Sequence, residues 1–401
     1  MIRRIGMLVV LGLAVPAGVF AADWARFRGP QADGISAERG INKAWGKKPP
    51  RTAWKVAMSD QGHAGPAVAA GRVYIVDHQG TNDVVRALDL RTGKDVWRFS
   101  YPDPQPSNYG FARCTPTVTG GRVYTLSRFG LVHCLDAKTG KKIWSQDLVR
   151  AFRGKPPTWL YSASVLVDGN RVVVCPGGPG PAIVALDRST GKVLWKGGGS
   201  DIAGYGMLAV ATIGGKRQYV AFTGKSLIGV DPASGKTLWR FPWETRLDVN
   251  AAMPVVVGSS VFITSNYGRG CALVDVSGGR AKARWENREI HSHFNTAVYS
   301  GGYLYSTSDP GYLVCLDAKT GRVAWKQRGF EKGGLVAVDG TLIVVDGAKG
   351  DVVMVSLTPS SYKELGRTKP LQGPGCWAPP VVADGMLLVR DKQSLVCLSL
   401  K

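Results

Sequence analysis

An eleven-residue phrase ending in tryptophan returns along most of the chain. It reads ALDLRTGKDVW to Trp97, CLDAKTGKKIW to Trp144, ALDRSTGKVLW to Trp195, GVDPASGKTLW to Trp239 and CLDAKTGRVAW to Trp325. A copy lengthened by two residues, LVDVSGGRAKARW, ends at Trp285. Successive tryptophans are 47, 51, 44, 46 and 40 residues apart. A period of that size marks an array of supersecondary units.

Each copy runs from an apolar stretch into Asp, then a Thr-Gly or Ser-Gly turn, a basic residue and a second short stretch carrying the Trp. Glycine supplies the positive φ of a tight reversal, so the phrase predicts a β-hairpin. A second hairpin signal lies upstream of each phrase, as in GPAVAAGRVYIVD from Gly65 and TPTVTGGRVYTLS from Thr115. Two hairpins in about 40–45 residues fit one four-stranded propeller blade. The upstream signal occurs eight times, the last as APPVVADGMLLVRD from Ala378. The seventh unit has no Trp, and Leu365, 40 residues after Trp325, is expected in its place. The eighth ends with VCLSLK at residue 401, with no room for a fourth strand. Arg51-Thr-Ala-Trp54-Lys-Val, whose Trp lies 43 residues before Trp97, is expected to supply that strand and close the ring. The expected fold is all-β: an eight-bladed β-propeller with four-stranded antiparallel blades, closed by an N-terminal strand.

Residues 1–21 read as a secretory signal peptide, with Arg3 and Arg4, an apolar run and Val19-Phe-Ala21 as a cleavage site. No Cys follows it, so a lipid anchor is not expected, and no apolar run is long enough to span a membrane. The expected location is periplasmic or secreted. Residues 22–50 form an N-terminal extended segment before a propeller over 51–401. The seven cysteines show no CxxC or CxxH spacing. Cys134, Cys315 and Cys397 share one repeat position, where other copies carry Ala, and read as small buried hydrophobes.

The phrase resembles the tryptophan-docking motif of the quinoprotein-like, or PQQ-like, propeller family, Ala-x-Asp-x-x-Thr-Gly-Lys-x-x-Trp. Ala87, Asp89, Thr92, Gly93, Lys94 and Trp97 match it, as do Ala185, Asp187, Thr190, Gly191, Lys192 and Trp195. The resemblance covers roughly residues 51–401 and implies that each Trp packs between neighbouring blades. DWARFRGPQADGIS, from Asp23, is also similar to a segment opening many exported PQQ-like repeat proteins. One branch of the family comprises quinone-dependent alcohol and sugar dehydrogenases; another includes BamB-like scaffolds that bind protein without a cofactor. The dehydrogenases usually carry vicinal cysteines, an Asp base and calcium ligands. No two cysteines are adjacent here, and no segment matches the other features clearly. The expected function is therefore an exported binding or scaffold module with no cofactor, with a quinone-dependent oxidoreductase using PQQ and calcium as the alternative.

Strand alternation sorts the loops onto two faces. Middle loops and blade-to-blade crossovers share one face, where His63, Arg113, Tyr161, Tyr205, Asn250, His291, His293, Asn295 and Trp377 precede inner strands. Arg128 and Asp309 lie in middle loops. Polar and aromatic groups converging on a channel mouth suit a small ligand or an envelope protein or peptide. The bland alternative is that these groups solvate a narrow channel. His291 and His293, two apart, would lie on one side of a strand and suggest a metal. A hydrogen-bonded pair in a loop is the expectation, and no metal. The hairpin-turn face is basic, with Arg72, Arg91, Lys94, Arg122, Lys138, Lys141, Lys142, Arg188 and Lys192 in the first three blades. A formal charge of +22 suits an anionic surface or envelope polymer, although the motif's own Lys accounts for part of it. Export and the lack of a reading element argue against specific nucleic-acid recognition.

Overall fold

In five of the six copies the repeat's Asp organises its own turn; in the lengthened copy Asp275 instead accepts from Ser260 and Arg284. In a computed structural model that describes residues 23–401, Asp89 Oδ1 accepts hydrogen bonds from the amides of Arg91 and Thr92 and from the Thr92 hydroxyl, at 3.1, 2.9 and 2.9 Å. Gly93 closes the turn at φ +70°, and a Cβ there would stand 2.8 Å from the Trp54 ring. Glycine thus serves twice: it permits the reversal and clears room for the tryptophan of the preceding blade. The Trp54 indole donates to the Leu90 carbonyl at 2.8 Å. The same geometry repeats with Trp144 over Gly191 and Trp195 over Gly235. The motif is therefore a docking device between blades, as the resemblance implies.

Eight sheets result, and seven have four strands in antiparallel order. The eighth blade takes Arg51–Ala57 as its outer strand, with Trp54 opposite Cys397. Cys134 and Cys315 likewise face Trp144 and Trp325, and all seven cysteines are free. Six of them are buried.

Two features depart from the expected repeat. The first is the seventh blade, where Met354 pairs with Gly366 and Leu365 is the bulged residue before it. Gly366, not Leu365, holds the tryptophan position. The slot is filled from outside the repeat by Trp45, which is buried at 1 % exposure, and a Cβ on Gly366 would lie 2.7 Å from the Trp45 Cβ. The Asn42 and Gly46 amides donate to the Leu400 and Leu365 carbonyls and fix this segment across blades seven and eight.

The second is a fifth strand in that blade, Ile35–Ser36, parallel to the inner strand Leu335–Val338. It belongs to a segment that runs through the channel. Val68 and Val118, on the inner strands of blades one and two, donate to the Trp24 and Ala25 carbonyls. Arg28 is buried and donates to the Thr296, Ala297 and Asp33 carbonyls at 2.8, 2.7 and 2.6 Å. Burial lowers its guanidinium to about 10, still charged at neutral pH. Inner-strand backbone groups facing the channel need partners, and the segment supplies them. No helix among the described residues is long and apolar enough to cross a membrane, and the signal-peptide reading lies outside those residues.

Candidate functional site

The channel segment splits the central space. Toward the crossover face lies a funnel of about 340 Å³ floored by Phe27 and Arg28; toward the hairpin turns lies a second cavity of about 560 Å³. Of the residues expected at the mouth, His63, Arg113, Tyr205, His293, Asn295 and Trp377 line the funnel. These six come from five different crossovers, His293 and Asn295 sharing one, and meet only because the ring closes.

Aromatic rings form much of the wall. His63 stacks on Trp377 with centroids 4.2 Å apart, and Trp377 meets Phe294 at 4.9 Å. The run continues through His293 to Tyr267 at 5.1 Å. On the other side Tyr109 packs edge-on against Trp159 at 5.1 Å, and the Tyr205 hydroxyl accepts from the Trp159 amide at 3.1 Å. Burial, followed by the charges of Arg390, Lys392 and Arg113, drives the His63 imidazole down to about 3, so it is neutral in the funnel. Arg113 donates to the Trp159 and Gly110 carbonyls, which fixes the guanidinium in the wall. Its buried Nε–H has no protein acceptor. Lys332 adds a third cation beside Arg113 and Arg28.

Five expected mouth residues lie outside this lining. Arg128 is buried in a two-pronged ion pair with Asp103, at 2.7 Å on each prong, and braces a crossover. The Tyr161 hydroxyl donates to the Pro176 carbonyl at 2.6 Å. Asn250 donates to the Thr223 and Trp243 carbonyls at 2.8 and 3.2 Å and accepts from Ser265 at 2.8 Å. Asp309 accepts from Asn266 and stands 3.6 Å from His293. His291 and His293 sit in a loop, not on a strand, and are not a pair. His293 contacts the Tyr267 hydroxyl at 3.1 Å and Asn266 at 3.3 Å, whereas His291 is absent from the funnel. Among the described residues no three His, Cys, Asp or Glu side chains cluster for a metal.

Trp159, Tyr109, Phe294, Lys332, Phe27 and Arg28 were not among the expected residues. Trp159 carried a signal: it falls 15 residues after Trp144, off the repeat period. On the opposite face, the Arg residues of the first-hairpin turns have internal tasks. Arg72 donates to the Ala137 and Lys138 carbonyls of the next blade, and Arg122 to that of Arg188.

The funnel's chemistry bears on the quinone cofactor implied by part of the family. Its cations and flat aromatic walls would accept a planar anion. No aspartate or glutamate lines it among the described residues, so it offers neither an anionic calcium ligand nor a carboxylate base. The residues present do not fit the PQQ–calcium pair.

The sequence profile of a family described as outer membrane protein assembly factor BamB matches residues 43–105 and 81–327. The BamB of Shewanella oneidensis is 24 % identical over 255 residues, 59 % of this chain and 62 % of that one, so the match spans less than two thirds of that relative. The dehydrogenase subunit of the quinone alcohol dehydrogenase of Komagataeibacter europaeus is 30 % identical over 160 residues, 36 % of this chain and 21 % of the relative. The crystal structure of BamB from Moraxella catarrhalis superposes with a TM-score of 0.64 at 16 % identity, covering 87 % of this chain and 99 % of that one, which shows a shared fold. The profile spans most of the ring, and the docking tryptophans, turn aspartates and ring closure all agree with it: the chain belongs to the PQQ-like propeller family described as outer membrane protein assembly factor BamB.

Proposed function

We propose that this chain is an exported binding or scaffold propeller, not an enzyme, and that its crossover-face funnel grips a partner polypeptide in the cell envelope. One observation carries the reading: six residues from five crossovers converge with Trp159 and Phe294 on one funnel. Aromatic anchors and Arg dominate interface energies. The cations Arg28, Arg113 and Lys332, with no carboxylate among them, favour an apolar or aromatic side chain lying beside an acidic group. The relatives named for outer membrane protein assembly supply a process in which such a grip has a use. The partial identity to a quinone dehydrogenase favours a second reading, but the funnel chemistry opposes it.

The test is complementation of a deletion strain, reading the level of folded outer-membrane proteins. The double variant Arg113→Ala, Trp377→Ala should fail to restore that level while keeping wild-type abundance and melting temperature. Lys141→Glu with Lys142→Glu, on the far face, should leave the funnel's grip unchanged. Full complementation by the double variant would refute the funnel. Micromolar binding of added PQQ and calcium, followed by alcohol-dependent dye reduction, would refute the scaffold reading itself.

A further inference from the structure

All eight outer strands carry a bulge immediately before the tryptophan position, and the bulged residue varies around the ring. It is Val96, Ile143, Leu194, Leu238, Arg284, Ala324, Leu365 and Ala53 in blades one to eight. This position projects from the rim, and the chain treats it by a consistent rule in blades four to eight. Where the residue is large and apolar, polypeptide covers it. Leu238 is half-buried, with Gly279 of blade five's lengthened hairpin set against its carbonyl, and Leu365 is half-buried beneath Trp45 and Gly46. Where nothing covers it, the residue is Arg or Ala.

Blades one to three break the rule. Val96, Ile143 and Leu194 are 45, 44 and 43 % exposed, and Val193 beside Leu194 is 43 % exposed. They occupy three consecutive blades. Exposed cations flank each one: Lys94 and Arg98, Lys141 and Lys142, Lys192 and Lys196. The one acid among them, Asp95, is already held by Arg86 and Arg98 at 2.9 and 2.7 Å. A row of apolar side chains set in cations, uncovered where the same protein elsewhere covers or shrinks the position, marks an interaction surface.

We infer that the rim of blades one to three is a second docking surface, independent of the funnel, and that its occupant is an acidic polypeptide segment of another protein laid across the outer strands. Two observations select that occupant. The charge around the row calls for an anionic partner. The two internal covers are both polypeptide, and at blade seven the covering Gly46 amide donates directly to the carbonyl of the bulged Leu365 at 3.0 Å. The outer strands of blades one to three present the same bulge carbonyl on the same free edge, ready for an equivalent segment.

The test uses a fluorescent peptide of alternating leucine and glutamate, with a leucine–lysine peptide as control, on the purified protein. The acidic peptide should bind and the basic one should not, and photo-crosslinks should map to residues 94–98, 141–145 and 192–196. The triple variant Val96→Ala, Ile143→Ala, Leu194→Ala should weaken binding by at least about tenfold. It introduces only the residue that blades six and eight already hold there, so it should fold as wild type. Lys141→Glu with Lys142→Glu should weaken binding similarly, whereas Trp377→Ala should leave it unchanged, separating this surface from the funnel. Failure of the acidic peptide to bind, or equal binding by the triple variant, would overturn the inference. Binding of phosphatidylglycerol vesicles in place of the peptide would reassign the row to a lipid surface. A dimer in sedimentation velocity that disperses in the triple variant would reassign it to a second copy of the chain.

Discussion

Trp45 gives a direct measure of how the N-terminal segment contributes to the ring. Its side chain is buried in the slot that Gly366 leaves open. A tryptophan buries about 200 Å², which at about 25 cal/mol per Å² corresponds to roughly 5 kcal/mol. Its indole N–H is buried with no acceptor, an offset of about 1–3 kcal/mol. Trp45→Ala should therefore destabilise the fold by about 3 kcal/mol. Trp144→Ala should cost more, toward about 5 kcal/mol, because the Trp144 indole donates to the Arg188 carbonyl at 3.1 Å. Trp45→Phe keeps most of the apolar area and removes the orphaned donor, so it should be close to neutral. The assay is reversible urea unfolding with the m-value held constant, paired with hydrogen exchange of the Asn42 and Gly46 amides. A Trp45→Ala midpoint equal to wild type would show that the segment does not occupy the slot. A Phe variant less stable than wild type by the apolar area it lacks would show that the orphaned N–H has no cost.

The turn glycines separate backbone strain from docking. Gly191→Ala forces a Cβ to within 2.8 Å of the Trp144 ring at φ +72°, and should cost about 2–4 kcal/mol in urea unfolding. Gly169→Ala, at φ +57° with nothing within 4 Å, should cost only about 1 kcal/mol; equal losses would refute tryptophan docking on the turn. His133 is buried against Phe99 and Tyr101 with neither ring nitrogen hydrogen-bonded, and burial and then Lys142 lower it to about 4. The unfolded chain takes up that proton first, so stability should fall by about 3 kcal/mol as pH drops from about 6.5 to about 4. His63, lowered to about 3, adds a fall of similar size over that range, so His133→Leu should remove about half of the total, and a variant that loses as much stability as wild type would show that His133 carries none of it.

The ring was legible because its residues repeat. Asp, Gly and Trp recur at fixed offsets, and one physical account of the turn serves nearly every blade. Legibility failed where a residue acts outside the period. A spacing of 40 pointed to Leu365, but spacing does not reveal a bulge, and the register puts Gly366 opposite Met354. Nothing local marks Trp45 as the missing tryptophan, since it precedes the first blade and reaches its slot only through ring closure. Phe27 and Arg28 lie in a stretch without strand or helix periodicity, so their passage into the channel left no trace in the pattern. Among crossover residues, position before an inner strand pointed to His63, Arg113 and Trp377, which line the funnel. It did not show which way Tyr161 and Asn250 turn, and both turn toward backbone carbonyls that had no other partner in view at the level of sequence.

The repeat also determines where function can reside. In most copies Asp, Thr, Gly and Trp are committed to turns and to the next blade, and the first-hairpin Arg residues of blades one and two are committed to carbonyls across the blade boundary. A substitution at any of these positions reports on the ring as a whole. Specific recognition must then come from residues that the eightfold pattern does not dictate. Such residues gather in two places. One is the crossover funnel, where the off-period Trp159 and Trp377 stand among cations. The other is the rim, where the bulged residue is free to vary and is large, apolar and uncovered only in three consecutive blades. The channel segment ties the two to the same scaffold, because its aromatic and guanidinium groups floor the funnel while its continuation through Trp45 shows how polypeptide seats on a bulge. A ring built from interchangeable parts becomes specific at the positions where the parts differ.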